Sequence, residues 1–153
     1  PANLPRQRRT VLPVLNMPKH RIALVKEIPP GSNKVANVRG REICVFNVGG
    51  DFFALLNRCP HEGAKLSRGV VVGLPESEAP GCYKLSRPGE ILRCPWHGWE
   101  FDLKTGKSHC DPERVFTKQY KTCVENETAV AGRELQAETF PVVVEEATVF
   151  VEM

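Results

Sequence analysis

Two stretches decide how this chain folds: Asn57-Arg58-Cys59-Pro60-His61-Glu62-Gly63-Ala64 and Cys94-Pro95-Trp96-His97-Gly98-Trp99-Glu100-Phe101-Asp102. Each sets one thiol and one imidazole on a tight segment bearing Pro and Gly, and the second cysteine lies 35 residues after the first. Together they offer Cys59, His61, Cys94 and His97 as a Cys2His2 ligand set. That is a metal site. Thiolate and imidazole suit zinc, copper or iron, and such a set taken alone most often means structural zinc. The spacing argues otherwise. Zinc fingers and ribbons group Cys with Cys and His with His at intervals of roughly two to five residues, whereas here Cys-x-His and Cys-x-x-His mix the two types in each loop. A binuclear cluster accounts for the mixture, one iron taking both cysteines and the other both histidines. Mononuclear zinc stays open as the alternative.

With its flanks included, the sequence resembles the Rieske iron-sulfur proteins. The family pattern of Cys-x-His followed by Cys-x-x-His is matched residue by residue by Cys59, His61, Cys94 and His97. The surrounding residues are similar to the cluster loops of Rieske ferredoxins and Rieske oxygenases. The resemblance implies a 2Fe-2S cluster held by these four residues. It also implies an all-β, Rieske-type antiparallel β-sandwich with a cluster-binding subdomain inserted between its strands.

The rest of the chain is consistent with that architecture. A length of 153 residues suits one domain with its own core. The net charge of +3 is too small to imply nucleic acid, and no basic stripe is interleaved with aromatics. No apolar run is long enough to span a membrane. Six cysteines show no regular disulfide framework, so a reducing, cytoplasmic setting is expected. Residues 1–19 read as a basic N-terminal arm, with Arg6, Arg8, Arg9 and Lys19 and no acid. Residues 20–153 read as the Rieske domain, its cluster-binding subdomain at about 57–109.

Short β-type runs separated by turn residues carry the fold. Residues 20–26, 34–38, 41–48, 51–56, 70–73, 91–93, 100–103, 139–144 and 148–151 read as strands, and Gly49-Gly50 reads as a hairpin turn. The last two runs are expected to close the chain as a final hairpin, as a complete Rieske ferredoxin would. Residues 74–90 and 110–137 read as surface excursions, the first beside the cluster. Gly63 and Gly98 are placed to take positive φ, and Pro60 and Pro95 to stiffen the loops. Trp96 and Trp99 are expected to cover the cluster as packing, and Asp111-Pro112 to supply a third loop over it. Cys44 reads as a buried apolar thiol. Cys82, Cys110 and Cys123 read as incidental, Cys82 being the one with some prospect of a disulfide.

Charge counting shows what the imidazoles would do. Ferric irons, sulfides and thiolates in pairs sum to zero when the other two ligands are neutral, so an electron is accepted more easily than by an all-thiolate cluster. Rieske potentials accordingly run from roughly −150 to +300 mV, against about −400 mV for plant-type ferredoxins. Respiratory Rieske proteins add a disulfide and Ser and Tyr hydroxyls around the cluster. Here the corresponding positions hold Ala64, Trp96, Trp99 and Phe101, which implies a potential low in that range.

The function implied by the resemblance is electron transfer rather than catalysis. The chain would be the ferredoxin component of a multicomponent oxygenase system, receiving electrons from a flavin-dependent NAD(P)H reductase and passing them to a terminal oxygenase. An oxygenase would need a facial triad of two His and a carboxylate, and after the ligands only His20 and His109 remain. A Rieske subunit or domain of an oxygenase or nitrite reductase complex is one alternative, and a structural zinc domain is another.

Overall fold

The computed structural model describes residues 17–130 and 143–153. Among them run nine strands: β1 (Lys19–Leu24), β2 (Asn33–Val38), β3 (Arg41–Val48), β4 (Asp51–Leu56), β5 (Val70–Ala79), β6 (Cys82–Arg93), β7 (Glu100–Asp102), β8 (Gln119–Val130) and β9 (Val143–Glu152). Six form one sheet in the order β1-β9-β8-β4-β3-β2, and β5-β6-β7 form a second. Every pairing is antiparallel.

The run Ile43-Cys44-Val45-Phe46 in β3 is apolar without a break because both of its faces are buried. Alternate residues of a strand point to opposite faces. Cys44 and Phe46 therefore enter one core with Leu55, Leu66, Leu92, Phe101 and Leu103. Ile43 and Val45 enter a second core with Ala23, Ile28, Ala54, Val149 and Val151. The first core joins the large sheet to the small one and contains both Cys59 and Cys94. Complete burial of each Leu or Phe contributes about 2–3 kcal/mol, so this core anchors the loops firmly.

Two-residue turns set the register of β2, β3 and β4. Val48 pairs with Asp51 across Gly49 (φ 60°) and Gly50 (φ 99°), the doubly positive turn that the Gly-Gly pair predicts. Val38 pairs with Arg41 across Arg39 (φ 51°) and Gly40 (φ 77°). There the Asn37 side chain accepts the Gly40 N–H at 3.0 Å.

β4 and β8 are neighbours, with Ala54 opposite Tyr120 and Leu55 opposite Gln119. The small sheet and both ligand loops are thus inserted between adjacent strands of the large sheet. Residues 74–90 are not a loop. They continue β5 and β6 into a long hairpin, Leu74 facing Ser86 and Ser77 facing Tyr83, with the turn at Pro80-Gly81. The polar stretch after residue 110 likewise contains β8, which its charged residues disguise because much of the strand is exposed. Val143 and Val144 lie in the same strand as residues 148–151, so the closing hairpin is β8 with β9 rather than two short strands at the end. Residues 139–142 fall outside the described part. So does the basic arm up to residue 16, while Lys19 opens β1 opposite Glu152.

Cys44 is fully buried, its sulfur 3.5 Å from the Asn33 side-chain oxygen. Burial pushes this thiol from about 9 up to about 12. The unfolded chain ionises it first, so its contribution to stability is complete below about pH 9 and is lost as the pH rises toward about 12. Urea unfolding of wild type and Cys44→Val at about pH 8 and about pH 10.5 should show the stability difference moving in the variant's favour at the higher pH. An equal difference at both would mean that the thiol is not desolvated.

A candidate metal centre on two matching loops

The two ligand loops have the same backbone closure. In the first, the Cys59 N–H donates to the Ala64 carbonyl (2.8 Å) and the Gly63 N–H to the Cys59 carbonyl (2.9 Å). In the second, the Cys94 N–H donates to the Trp99 carbonyl (2.8 Å) and the Gly98 N–H to the Cys94 carbonyl (3.2 Å). Each loop is clasped from its cysteine to the fourth and fifth residues beyond it. Each needs a left-handed residue at the fourth position, which Gly63 (φ 84°) and Gly98 (φ 72°) supply without Cβ strain. The first loop follows β4, the second follows β6, and β7 begins just past Trp99.

Burial divides the four candidate ligands in two. Cys59 and Cys94 are 2% and 3% exposed in the core between the sheets, whereas His61 and His97 lie at the surface. The imidazoles meet edge to face, their Nδ1 atoms 3.2 Å apart. Desolvation raises the Cys59 thiol above its ordinary range, and the adjoining Cys94 adds to this. The backbone N–H groups of His61 and Glu62 hydrogen-bond the Cys59 sulfur and pull the other way, toward thiolate.

This donor set suits a two-metal group better than one ion. A tetrahedral zinc with bonds of about 2.0–2.3 Å requires all four donors within about 4 Å of one another. Among the described residues, the potential ligand atoms that converge within 4.8 Å are those of His61, Glu62 and His97, with neither cysteine among them. The sulfurs form one pair inside and the nitrogens another outside. That is the division a cluster with one thiolate-bound and one imidazole-bound iron demands.

Sequence reasoning missed Glu62, whose carboxylate lies 3.7 Å from His97 Nε2. Its position directly after a ligand was the available signal. Trp99 does pack against the inter-sheet core and lies 5.4 Å from the His61 ring. Trp96 does not cover the site, being 60% exposed with its ring 6.5 Å from that of His97. On the third loop, His109 and Cys110 line a cavity of about 270 Å³ with His97 and Trp99, next to Asp111-Pro112 in sequence. The loop is tied there by the His109 N–H, which donates to the Glu100 carbonyl at 2.8 Å. Cys44, Cys82, Cys110 and Cys123 are all free thiols. Cys82 sits exposed at the tip of the β5–β6 hairpin, away from the ligand loops in sequence.

Residues 19–121 match the family model of the Rieske [2Fe-2S] domain. Among curated proteins, the chain is similar to the ferredoxin component of the naphthalene 1,2-dioxygenase/salicylate 5-hydroxylase systems of Ralstonia sp. The two are 31% identical over 104 residues, which span 68% of this chain and 85% of that one. Among solved structures it is similar to a chain from the complex of reduced oxygenase and oxidized ferredoxin in carbazole 1,9a-dioxygenase. That likeness has a TM-score of 0.55 and 21% identity, covering 88% of this chain and 92% of the other. It is also similar to a protein of Mycobacterium tuberculosis described as an NADH-dependent nitrite reductase small subunit, with a TM-score of 0.56 and 18% identity over 90% of this chain and 96% of that one. At these identities the structural likenesses show the fold alone.

If the four residues are the ligands, the isolated protein will hold two iron atoms and two acid-labile sulfides per chain. Cys59→Ser or Cys94→Ser should abolish both, while Cys44→Ser and Cys82→Ser keep them. Iron and sulfide assays with a visible spectrum measure this. Stoichiometric zinc without sulfide would refute the assignment.

Proposed function

This chain belongs to the Rieske [2Fe-2S] domain family, and from that premise we propose that it is a one-electron carrier, the ferredoxin component of a multicomponent oxygenase system. Its cofactor is the family's 2Fe-2S cluster. In this reading Cys59 and Cys94 hold the inner iron and His61 and His97 the outer one. The cluster, when bound, stores and releases a single electron. The residues around it do the rest. The clasped loops fix the four donors before any partner arrives, and the inter-sheet core keeps water from the thiolates. The exposed imidazoles mark the side on which a partner approaches most closely.

The observation that carries the reading is the pairing of two core thiols with two surface imidazoles on matching loops. The donor would be a flavin-dependent NAD(P)H reductase and the acceptor a terminal oxygenase. Support for the acceptor comes from relatives named as ferredoxin components of dioxygenase systems and from the ferredoxin–oxygenase complex among the structural neighbours. We place the protein in the cytoplasm because none of its six cysteines forms a disulfide, which suits a reducing compartment. No helix among the described residues is long and apolar enough to cross a membrane.

Phe101 is fully buried in the core that contains both cysteines and offers no hydroxyl to a cluster sulfur. Voltammetry should place the potential in the lower half of the roughly −150 to +300 mV Rieske range. Phe101→Tyr should raise it by about 40 mV if the new hydrogen bond favours the reduced state by about 1 kcal/mol. A wild-type value near the top of the range would overturn this account.

The function itself is tested by reconstitution. A reductase, NAD(P)H and a ring-hydroxylating oxygenase should consume dioxygen several-fold faster with this protein than without it. Rates that its presence leaves unchanged across such systems, or substrate oxidation by the isolated chain, would reject the carrier assignment.

A further inference from the structure

Resting on the electron-carrier reading, we propose that the first ligand loop carries a basic recognition pocket that receives carboxylate side chains of an acidic protein partner and so orients it over the imidazoles. A surface cavity of about 390 Å³ opens beside that loop, lined by Arg41, Glu42, Asn57, Arg58, Gly63 and Lys65 among others. Its one acid is spoken for. Glu42 is ion-paired with Lys65, which holds its carboxyl below the usual range, and it also accepts from the Asn57 side chain at 3.3 Å. Arg41 and Arg58 have no ion pair or side-chain hydrogen bond among the described residues. Among the described residues, the pocket therefore keeps two uncompensated positive charges.

Their position ties them to the electron-transfer face. The Arg58 guanidinium lies over Gly63, where a Cβ would come 3.4 Å from its Nε and 3.7 Å from one terminal nitrogen. Gly63 is two residues beyond His61 in the same loop. The Arg58 backbone is fixed at both ends: its N–H donates to the Leu56 carbonyl at 2.7 Å, and its carbonyl accepts from the Thr117 hydroxyl at 3.4 Å. Arg41 follows the tight Arg39-Gly40 turn. Through Arg58, positive charge is thus held against the loop that carries His61, and it acts on a partner there over the Debye length of about 8–10 Å.

The surroundings define the partner's complementary face. Glu100, just past the second loop, is ion-paired with Arg93 and Asp111 with Arg114, while Glu62, on the first loop itself, lies beside His97. Exposed Trp96 gives the second loop an apolar surface. A partner that fits presents carboxylates toward the first loop and apolar surface toward the second. Such asymmetric charge acts mainly on encounter rate and orientation.

Two measurements on the cluster-loaded full chain test this. In stopped flow, the reduced protein passes one electron to ferricyanide, giving ferrocyanide, or to the cationic tris(phenanthroline)cobalt(III), giving cobalt(II). The double variant Arg41→Glu/Arg58→Glu should slow ferricyanide about tenfold at an ionic strength of about 10 mM and speed the cobalt complex, both effects fading at about 0.5 M salt. Arg41→Lys/Arg58→Lys should stay close to wild type, and an unchanged visible spectrum will show that the fold is kept. In the second measurement, a fluorescently labelled hexaglutamate peptide should bind wild type at low salt and lose at least tenfold in affinity for the Glu variant. Rates and binding indifferent to charge reversal would overturn the proposal. Equal displacement of the peptide by inorganic phosphate at matched ionic strength would also overturn it, marking a site for small anions instead. Failure of the wild type to exchange an electron with either complex at any salt would sink the carrier reading, and peptide binding would still decide the pocket.

Discussion

Each ligand loop is closed by two backbone hydrogen bonds running between its cysteine and the fourth and fifth residues beyond it, and the centre depends on that closure. The clasp turns the chain sharply enough to bury the cysteine while the following histidine stays outside. It tolerates one residue of difference in the histidine offset, Cys-x-His in one loop and Cys-x-x-His in the other. What it does not tolerate is a side chain that resists the left-handed conformation at Gly63 and Gly98. The two loops reach the same local geometry from different sequences because backbone groups alone make the bonds.

The clasps need a floor, and the core between the two sheets provides it. Cys44, Phe46 and Leu55 from the large sheet meet Leu92, Phe101 and Leu103 from the small one, with Cys59 and Cys94 packed among them. Burial there makes the Cys44 and Cys59 thiols harder to ionise. At Cys59 the N–H groups of His61 and Glu62 oppose the penalty by favouring the thiolate, whereas at Cys44 desolvation acts alone. Burial is shared by the structural Cys44 and the candidate ligand Cys59, and the N–H groups aimed at sulfur separate them.

The same arrangement partitions electrostatics. Sulfur sits where water is absent and the imidazoles sit where a partner can reach them. Around them the charge is uneven: two arginines with no ion pair among the described residues lie beside the first loop, which also carries Glu62, while Trp96 and the ion-paired Glu100 lie beside the second. A carrier that exchanges electrons with more than one protein needs brief, oriented encounters, and fixed surface charge supplies orientation without a large interface.

The four candidate ligands and the all-β class were legible because they reside in local pattern. Cys-x-His and Cys-x-x-His need no tertiary information, and the Gly49-Gly50 turn follows from φ preference alone. The unbroken run Ile43 to Phe46 marked a strand but not its double burial, which requires a core on each face. Exposed strands were lost for the opposite reason. β8 and the outer part of the β5–β6 hairpin carry charged residues such as Lys121, Glu125, Glu76 and Lys84, and only their pairing across the sheet makes them strands. Trp96 was expected to pack and points outward, since a motif gives the order of residues and not the side a clasped loop presents. What the sequence by itself determined was donor chemistry and local backbone preference, because those are properties of neighbouring residues. The division of sulfur inside from nitrogen outside, the nearness of Glu62 to His97 and the arginine pocket were decided by the tertiary structure, because each joins groups that come together only when the inserted sheet closes on the larger one.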